Sequence, residues 1–340
     1  MTGSHATAFS EHEAGDLDAG RADVRMVLRR VGTAGLLGPA GEDPAADLGD
    51  SVRLIRDLAT MSLAAAFSVW SQRMVLEYLG WYPPSEPVPG LVPDLRSGAV
   101  TGSTALAPAI SDLAGRAELP LVAEPHDDGW RLSGRIGWAS NLFDDALVVA
   151  PARAPEEGRL VVVFRRTSPG VTPGPLHDLH GLNGTGTGSL VLDGLLVRPG
   201  QVLTEDLADF MAVCRPAMLL MQSALAVGLA DAALAATGTH LTGAPGVLRP
   251  EHEELSDRRD DVARRMGDRA DSRVGITPRD LARLRLDAMD VAARAVRLES
   301  AVRGAAGYLA GSSTARRVRE AAFLPVQAPT EAQLRLEAAQ

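Results

Sequence analysis

The sequence contains no lysine, so all 34 of its basic residues are arginines, and 43 acidic residues outnumber them. The formal net charge of −9 is the opposite of the positive surface with which proteins hold nucleic-acid phosphates. We therefore expect no nucleic-acid partner. Neutral molecules and acyl chains remain open as ligands.

Cysteine is almost absent, since Cys214 is the single one in 340 residues. One thiol forms no intrachain disulfide and no multi-cysteine metal site, which fits a reducing, cytoplasmic setting. The first 21 residues are polar and acidic and lack the basic and apolar parts of a secretory signal. We expect residues 1–22 to be a mobile N-terminus.

A hydrophobic run long enough to cross a membrane is also lacking. The most apolar stretch, residues 216–230, is bounded by Arg215 and Asp231 and interrupted by Gln222. That length falls short of a bilayer span. The stretch instead predicts a helix buried inside a bundle, and no membrane partner is expected.

What is present is a chain of 340 residues with 46% apolar residues, enough for two or three packed layers. Val24, Val27, Leu28 and Val31 recur at helical spacing, and residues 54–61 repeat the pattern. Residues 23–100 are thus predicted to be a helical domain. The proline-rich segment 83–93 cannot propagate a helix and predicts a joint.

Residues 101–203 are predicted to form a β domain. Residues 119–124 and 130–140 read as two strands of a hairpin, and 147–150, 160–164 and 189–197 supply further strands. The prolines and glycine of residues 172–175 predict a turn. Residues 204–340 then return to helical spacing at 211–236, 249–269, 278–303 and 314–323, which predicts an antiparallel bundle. The fold class is therefore α+β.

Two segments of the predicted β domain resemble the acyl-CoA dehydrogenase superfamily. Residues 134–141, GRIGWASN, are similar to the family segment Gly-x-Lys-x-Trp-Ile-Thr-Asn. The resemblance implies that Trp138 and Ala139 pack on a flavin ring and that Ser140 lies at flavin N5. Residues 101–115 stand where the family has a loop around the flavin, which places Leu106 and Ser111 at the cofactor, Ser111 at its pyrophosphate; the family's Thr-Glu-Pro element is absent here.

Two further resemblances lie in the predicted bundle. Arg215 precedes a long apolar helix as a family arginine does, and residues 304–308 followed by 314–335 are similar to the family's closing elements. On that alignment Thr330 takes the place of a threonine near the pyrophosphate. The family's Arg-x-x-Phe-Gly element at the adenine is absent, so the cofactor is FAD or FMN. The resemblance implies an acyl-CoA dehydrogenase-like fold with a middle β-barrel-like domain, and a homodimer or homotetramer.

The same alignment puts Ala328 where the family has its catalytic glutamate, and a shift by one residue gives Gln327. Neither can remove the α proton that thioester dehydrogenation requires. Some family members carry the base just before the helix arginine, where this chain has Cys214, a residue type that is usually only small and buried there. The catalytic residue therefore stays unknown.

Relatives without this glutamate include flavin monooxygenases resembling dibenzothiophene monooxygenase, which take reduced flavin from a separate reductase. Our first hypothesis is such an oxygenase acting on a small organic or carrier-bound substrate. The second is an acyl-CoA or acyl-carrier-protein dehydrogenase with a displaced base such as Glu205, Asp206 or Asp209. The third is a non-redox relative that has lost flavin.

Two other patterns are predicted to bind neither a metal nor a nucleotide. His177 and His180 have a spacing of three residues but no clear third ligand, so we expect a surface loop and no metal. The glycine run 181–188 lacks the strand-to-helix setting and the lysine of a phosphate-binding loop, so it predicts no nucleotide site.

Overall fold

The computed structural model describes residues 10–38, 48–85, 91–272 and 276–339. In these ranges the chain runs through helices, then a sheet, then helices, which confirms the α+β class. The leading helices are α1 (Glu11–Ala19), α2 (Arg25–Thr33), α3 (Leu48–Met61), α4 (Leu63–Trp81) and α5 (Leu91–Ser97). The strands are β1 (Gly102–Thr104), β2 (Leu121–His126), β3 (Gly129–Ala139), β4 (Leu147–Arg153), β5 (Arg159–Arg165), β6 (Val171–Leu176), β7 (Gly188–Val197) and β8 (Val202–Thr204), with α6 (Ala107–Leu113) after β1.

The described part of the presumed mobile N-terminus is a helix, which corrects the expectation for residues 10–22. Ser10 and Glu13 form a reciprocal capping box at the start of α1. Ala14 and Leu17 are buried, and Asp18 binds Arg319 near the other end of the chain. Contacts within the core therefore hold this segment in place. Residues 1–9 lie outside the described residues.

One eight-stranded sheet follows the order β6-β7-β3-β2-β4-β5-β8, and β1 pairs with β4. Residues 172–175, predicted as a turn, are part of β6, which is an end strand of this order. An end strand tolerates Pro173 and Pro175 because its outer amides need no partner in the sheet. The proline and glycine signal was thus misread as a turn.

The strands β4 and β5 are buried on both faces. In β4, Leu147 and Val149 belong to the large core shared with the helices, whereas Val148 and Ala150 belong to a second core within the sheet. Alternate residues of β5 divide in the same way. Burial on both faces explains the unbroken apolar runs of these strands. The sheet therefore curls round a core of its own while its other face packs on the helices.

The C-terminal helices are α7 (Leu207–Gly238), α8 (Arg249–Asp271), α9 (Pro278–Arg303), α10 (Ser313–Phe323) and α11 (Glu331–Ala339). Ion pairs show that α8 and α9 are antiparallel, because partners of rising number in α8 meet partners of falling number in α9. These pairs are Glu251–Arg297, Glu254–Arg294, Arg258–Asp290 and Arg265–Asp287. The predicted antiparallel bundle is confirmed.

The longest helix, α7, is long and apolar enough to cross a membrane by length and composition alone, but 89% of its most apolar stretch is buried inside the protein. Asp206 caps its start by accepting from the Asp209 amide at 2.9 Å. The helix passes close to α3, where a Cβ on Gly228 would lie 2.2 Å from the Arg56 carbonyl oxygen. Here glycine permits two helices to approach each other closely.

The close approach at Gly228 generates a stability prediction. Gly228→Ala forces α3 and α7 apart, and we expect it to lower the free energy of unfolding by about 1–3 kcal/mol, the usual cost of overpacking. Gly267→Ala in α8 is the matched control, because nothing lies within 4 Å of its added Cβ. There the helix propensity of alanine should raise stability by up to about 1 kcal/mol. Urea denaturation measures both, and equal effects of the same sign would contradict this packing.

Candidate functional site

A cavity of about 510 Å³ lies where the helical core, the end of β3 and the last helices meet. This volume is in the range of small-molecule and cofactor sites, which are mostly apolar with a few placed polar groups. Its walls fit that description. They comprise Phe67, Trp70, Ser71, Thr104, Leu106, Ala107, Ile110, Trp138, Ala139, Ser140, Leu179, His180, Gly181, Leu182, Thr185, Thr187, Met218, Arg319, Ala322, Phe323, Val326, Gln327 and Ala328.

The segment with the strongest family resemblance lies on this wall. Trp138, Ala139 and Ser140 occupy the end of β3 and the residue after it, and Leu106, at the start of α6, lines the same cavity. Trp138 is 63% exposed, unusual for an indole ring. Its ring centroid is 4.1 Å from that of His177. A large, open aromatic face beside an apolar cavity can stack on a planar ligand.

The chain leaves β3 through Asn141, which is fully buried and has a φ of +58°. Its side-chain amide donates to the carbonyl oxygens of Ser68 at 3.0 Å and Gly102 at 3.1 Å. Its backbone amide donates to Thr185 O at 2.8 Å. Asparagine tolerates this left-handed conformation better than most residues. These bonds fix where Ser140 points.

Three hydroxyl groups on the wall are joined in series. Ser140 Oγ is 2.7 Å from Thr187 Oγ1, and Thr187 Oγ1 is 2.8 Å from Thr185 Oγ1. Thr185 Oγ1 donates to the Leu182 carbonyl oxygen at 2.8 Å. We call Ser140, Thr187 and Thr185 the hydroxyl chain. The sequence analysis named only Ser140 of the three.

The glycine-rich loop was predicted to be a plain surface loop, yet residues 179–182, Thr185 and Thr187 form one side of the cavity. Asp18 of α1 holds this loop by accepting from Leu182 N at 3.0 Å. The other oxygen of the same carboxylate accepts from Arg319 Nη2 at 2.6 Å, and Arg319 is also on the wall. Sequence spacing could not show this, because the partners of Asp18 lie far away in the chain.

His177 and His180 lie in different environments in the structure. His177 Nε2 lies 2.9 Å from the Gly137 carbonyl oxygen and its ring packs against Trp138. His180 is exposed at the edge of the cavity. His180 thus lines the cavity and His177 supports Trp138 beside it, neither of which the sequence analysis predicted.

The opposite wall depends on a buried cation. Arg285 of α9 is fully buried and donates to Gln222 O at 2.8 Å, Leu324 O at 3.3 Å and Gln327 Oε1 at 3.0 Å. Burial lowers its pKa to about 9, so it remains cationic at neutral pH. In the described part of the chain no carboxylate pairs with it. Arg285 thus ties α7 and α9 to the segment that carries Gln327 and Ala328.

The two residues that the sequence alignment set against the family's catalytic glutamate lie on the cavity wall. Ala328 and Gln327 both line it, and the Ala328 carbonyl oxygen accepts from Gln222 Nε2 at 2.9 Å. Cys214 is buried in α7 but is not among the lining residues. Of the described residues that form the walls, none is an aspartate or a glutamate.

The acidic residues proposed as displaced bases lie elsewhere. Asp206 caps α7, and Asp209 accepts from the Tyr82 hydroxyl at 2.6 Å. Glu205 is exposed just before the helix. None of the three lines the cavity, and their positions match an acidic helix start.

Three other predicted cofactor residues are set back from the cavity wall. Gln333 joins two of them, since its Nε2 donates to Ser111 Oγ at 3.2 Å while its Oε1 accepts from Thr330 N at 2.8 Å. Arg215 forms an ion pair with Glu337 of α11. The structure thus joins Ser111 and Thr330 through Gln333 and places Arg215 in a contact between α7 and α11. Their roles at a cofactor stay predictions.

Comparison with known proteins identifies the fold. No protein-family model and no curated protein matches the sequence significantly. Solved structures do match. Butyryl-CoA dehydrogenase from Megasphaera elsdenii shares 17% identity at a TM-score of 0.87, covering 99% of this chain and 96% of its own.

Two further solved structures have the same arrangement. Glutaryl-CoA dehydrogenase from Mycobacterium smegmatis shares 18% identity at a TM-score of 0.86, covering 100% of this chain and 92% of its own. The FAD complex of PigA shares 16% identity at a TM-score of 0.84, covering 99% and 95% respectively. This chain therefore has the acyl-CoA dehydrogenase fold from end to end, which confirms the fold implied by the resemblance.

The role of Arg285 generates a second prediction. Arg285→Met removes three hydrogen bonds of a buried cation, among them the one that the Gln327 side-chain oxygen accepts, so we expect the free energy of unfolding to fall by about 3 kcal/mol or more. Arg283→Met in the same helix is the control, because Arg283 is exposed, and it should change stability by less than about 0.5 kcal/mol. Urea denaturation compares the two. A similar, small loss in both variants would rule out the anchoring role of Arg285.

Proposed function

We propose that this chain is a flavin-dependent oxidoreductase and that the cavity beside Trp138 and Ser140 holds the flavin ring. The observation that carries the proposal is the meeting of an exposed tryptophan face, a hydroxyl and apolar walls in one cavity of suitable volume. The fold supports it, because structures with this fold include dehydrogenases of acyl-CoA thioesters and an FAD complex. Fold alone would not suffice, since function belongs to the site.

The residues present fit the ring end of a flavin. Trp138 offers a planar face, Leu106 and Ala139 offer apolar surface, and Ser140 offers a polar group at the same wall. A bound flavin would supply electron-transfer chemistry that no side chain of this site possesses. For the phosphate end, the proposal relies on Ser111 and Thr330 next to Gln333. Both FMN and FAD meet these requirements.

Within this class we favour a monooxygenase that uses reduced flavin and O2 on a small organic or carrier-bound substrate. Dehydrogenation of a thioester needs a base at the substrate α carbon, and no carboxylate is among the described wall residues. Oxygenation needs chiefly a pocket that excludes water. Phe67, Trp70 and Phe323 give the cavity such a surface, with Phe67 stacked on Trp70 at 5.3 Å.

Acyl-CoA or acyl-carrier-protein dehydrogenation remains the second candidate, supported by one observation. His180 lies at the cavity edge and could accept a proton, a role that the sequence analysis did not consider. A His180→Gln variant would then abolish anaerobic oxidation of thioesters. In an oxygenase the same change should leave flavin binding intact.

The proposed partners follow from this function. A separate flavin reductase would deliver the reduced cofactor, and we expect a cytoplasmic homodimer or homotetramer. Tyr308 is 92% exposed and Leu309 is also exposed, which supports a subunit contact near residues 304–311.

One experiment distinguishes the two candidate activities. The purified protein with FMN or FAD is mixed anaerobically with acyl-CoA substrates, and loss of the flavin absorbance shows dehydrogenation. In parallel, the protein is given chemically reduced flavin, 18O2 and thioester or small aromatic substrates. Incorporation of one 18O atom supports the oxygenase, and bleaching without oxygen supports the dehydrogenase. If neither FMN nor FAD binds, the proposal as a whole is wrong, and the hypothesis of a relative that has lost flavin is favoured.

The placement of Trp138 gives a third prediction. Trp138→Ala removes the aromatic face, and we expect the Kd for flavin to rise roughly ten-fold or more, the scale of one buried aromatic contact. Because Trp138 is largely exposed, the fold should survive the change. Trp81→Ala is the control, a partly exposed tryptophan outside the cavity walls, and should leave the Kd unchanged. Flavin fluorescence titration measures both. An unchanged Kd in Trp138→Ala would contradict the assigned site.

A further inference from the structure

The hydroxyl chain has a fixed direction, because each hydroxyl group owns one hydrogen. The Leu182 carbonyl oxygen can only accept, so Thr185 must spend its hydrogen there. Thr185 can then only accept from Thr187, and Thr187 can only accept from Ser140. When all three contacts are made, the hydrogen of Ser140 points into the protein.

The direction determines what Ser140 offers to the cavity. With its hydrogen committed to Thr187, its oxygen presents lone pairs to any ligand at the wall. Ser140 is nearly buried, and so are Thr185 and Thr187. Water therefore competes poorly for these groups, and the arrangement of the hydrogen bonds is maintained by the protein.

Reversing the chain would have a cost. Thr185 would have to turn its hydrogen away from Leu182 O, which would then keep only the hydrogen bond from the Thr185 backbone amide at 3.1 Å. The reversed arrangement therefore has one buried hydrogen bond fewer, and this loss disfavours it. The inward direction is thus the stable one.

We propose that this hydroxyl chain makes the site select the reduced form of flavin over the oxidised form. The inference rests on the proposed function and deepens it. With N5 placed at Ser140, as the family resemblance implies, oxidised flavin would turn a hydrogen-bond acceptor towards the lone pairs of Ser140, which is unfavourable. In reduced flavin N5 carries a hydrogen and donates to them. Thr185 and Thr187 are positioning residues in this scheme, since they act on the ligand through Ser140.

We expect the Kd of reduced flavin to be lower than that of oxidised flavin by about ten-fold or more. Reduced flavin gains a hydrogen bond to Ser140, whereas oxidised flavin brings two acceptors together. A chain with this preference would take up reduced flavin from solution and release it after reoxidation. Such behaviour suits an enzyme that is supplied by a separate reductase.

The test measures the Kd of oxidised and of reduced FMN and FAD for the full chain, under anaerobic conditions, together with the midpoint potential of the bound flavin. For the natural sequence we expect the reduced form to bind about ten-fold more tightly and the potential to be raised accordingly. Thr187→Val frees the hydrogen of Ser140, so the ratio of the two Kd values should fall towards one. Thr187→Ser keeps the hydroxyl and should retain the ratio.

Two further variants keep the test decisive. Thr185→Val removes the end of the chain and should lower the ratio by itself, even if Thr187→Val does not fold. Thr237→Val is the matched control, because Thr237 is a buried threonine that donates to Ala233 O within α7 and lies outside the cavity walls. It should leave the ratio unchanged.

The outcomes separate the two proposals. If neither flavin binds, the proposed function fails and this inference fails with it. If oxidised flavin binds as tightly as reduced flavin, or if Thr187→Val and Thr185→Val keep the ratio of the natural sequence, the selection mechanism is wrong while the flavin site stands.

Discussion

The double burial of β4 and β5 is the constraint on which the site depends. Their alternate residues fill two different cores, one shared with α3, α4 and α7 and one within the sheet. A strand buried on both faces cannot slip by one residue without moving its whole apolar set to the wrong core. The register of β1 on β4 is therefore fixed, and so is the start of α6 that follows it. The cavity forms where these fixed elements meet the last helices.

Buried charge then shapes two sides of the cavity. Asp18 joins α1, the loop at Leu182 and Arg319, while Arg285 joins α7, α9 and the segment at Gln327. A guanidinium suits both places because its donors are spread over a rigid plane and can reach several acceptors at once. A lysine ammonium is more strongly hydrated and less able to bridge such acceptors without water. The exclusive use of arginine in this chain is consistent with these contacts.

The fold could be read from the sequence wherever local pattern and burial agree. Helical spacing identified α2, α7, α8 and α9, and apolar alternation identified β3 and β7. The expectation failed for α1, where Ser10 and Glu13 carried a capping-box signature that acidic composition obscured. It failed for β6 because proline at an end strand reads like proline in a turn. In both cases the position of the segment in the tertiary structure determined which element it forms. A short window of sequence does not contain that information.

The residues of the candidate site also fall into two groups, those that a sequence motif could locate and those that only the fold brings together. Trp138 and Ser140 are near neighbours in sequence, so a motif could locate them, and Ala328 could be found by alignment to a family element. Asp18, Thr185, Thr187 and Arg285 meet the site only through folding, and single hydroxyls or charges leave no recognisable pattern. The alternation of threonine and glycine in residues 184–188 was visible, but it led only to the prediction that this run binds no nucleotide. Its meaning depends on Ser140 lying opposite.

For the proposed flavin site, the lack of a carboxylate on the described walls and the hydroxyl chain concern the same chemistry. Removal of a carboxylate from a redox cavity takes away the base that makes dehydrogenation fast, but it also removes a negative charge that would oppose an electron-rich, reduced ring. A wall acceptor with a fixed direction adds a contact that only the reduced ring can use. A cation buried behind Gln327 acts in the same direction, because an electron-rich ligand is stabilised by nearby positive charge. Each feature alone has a structural explanation, and all three support the proposal of a site that receives its cofactor already reduced.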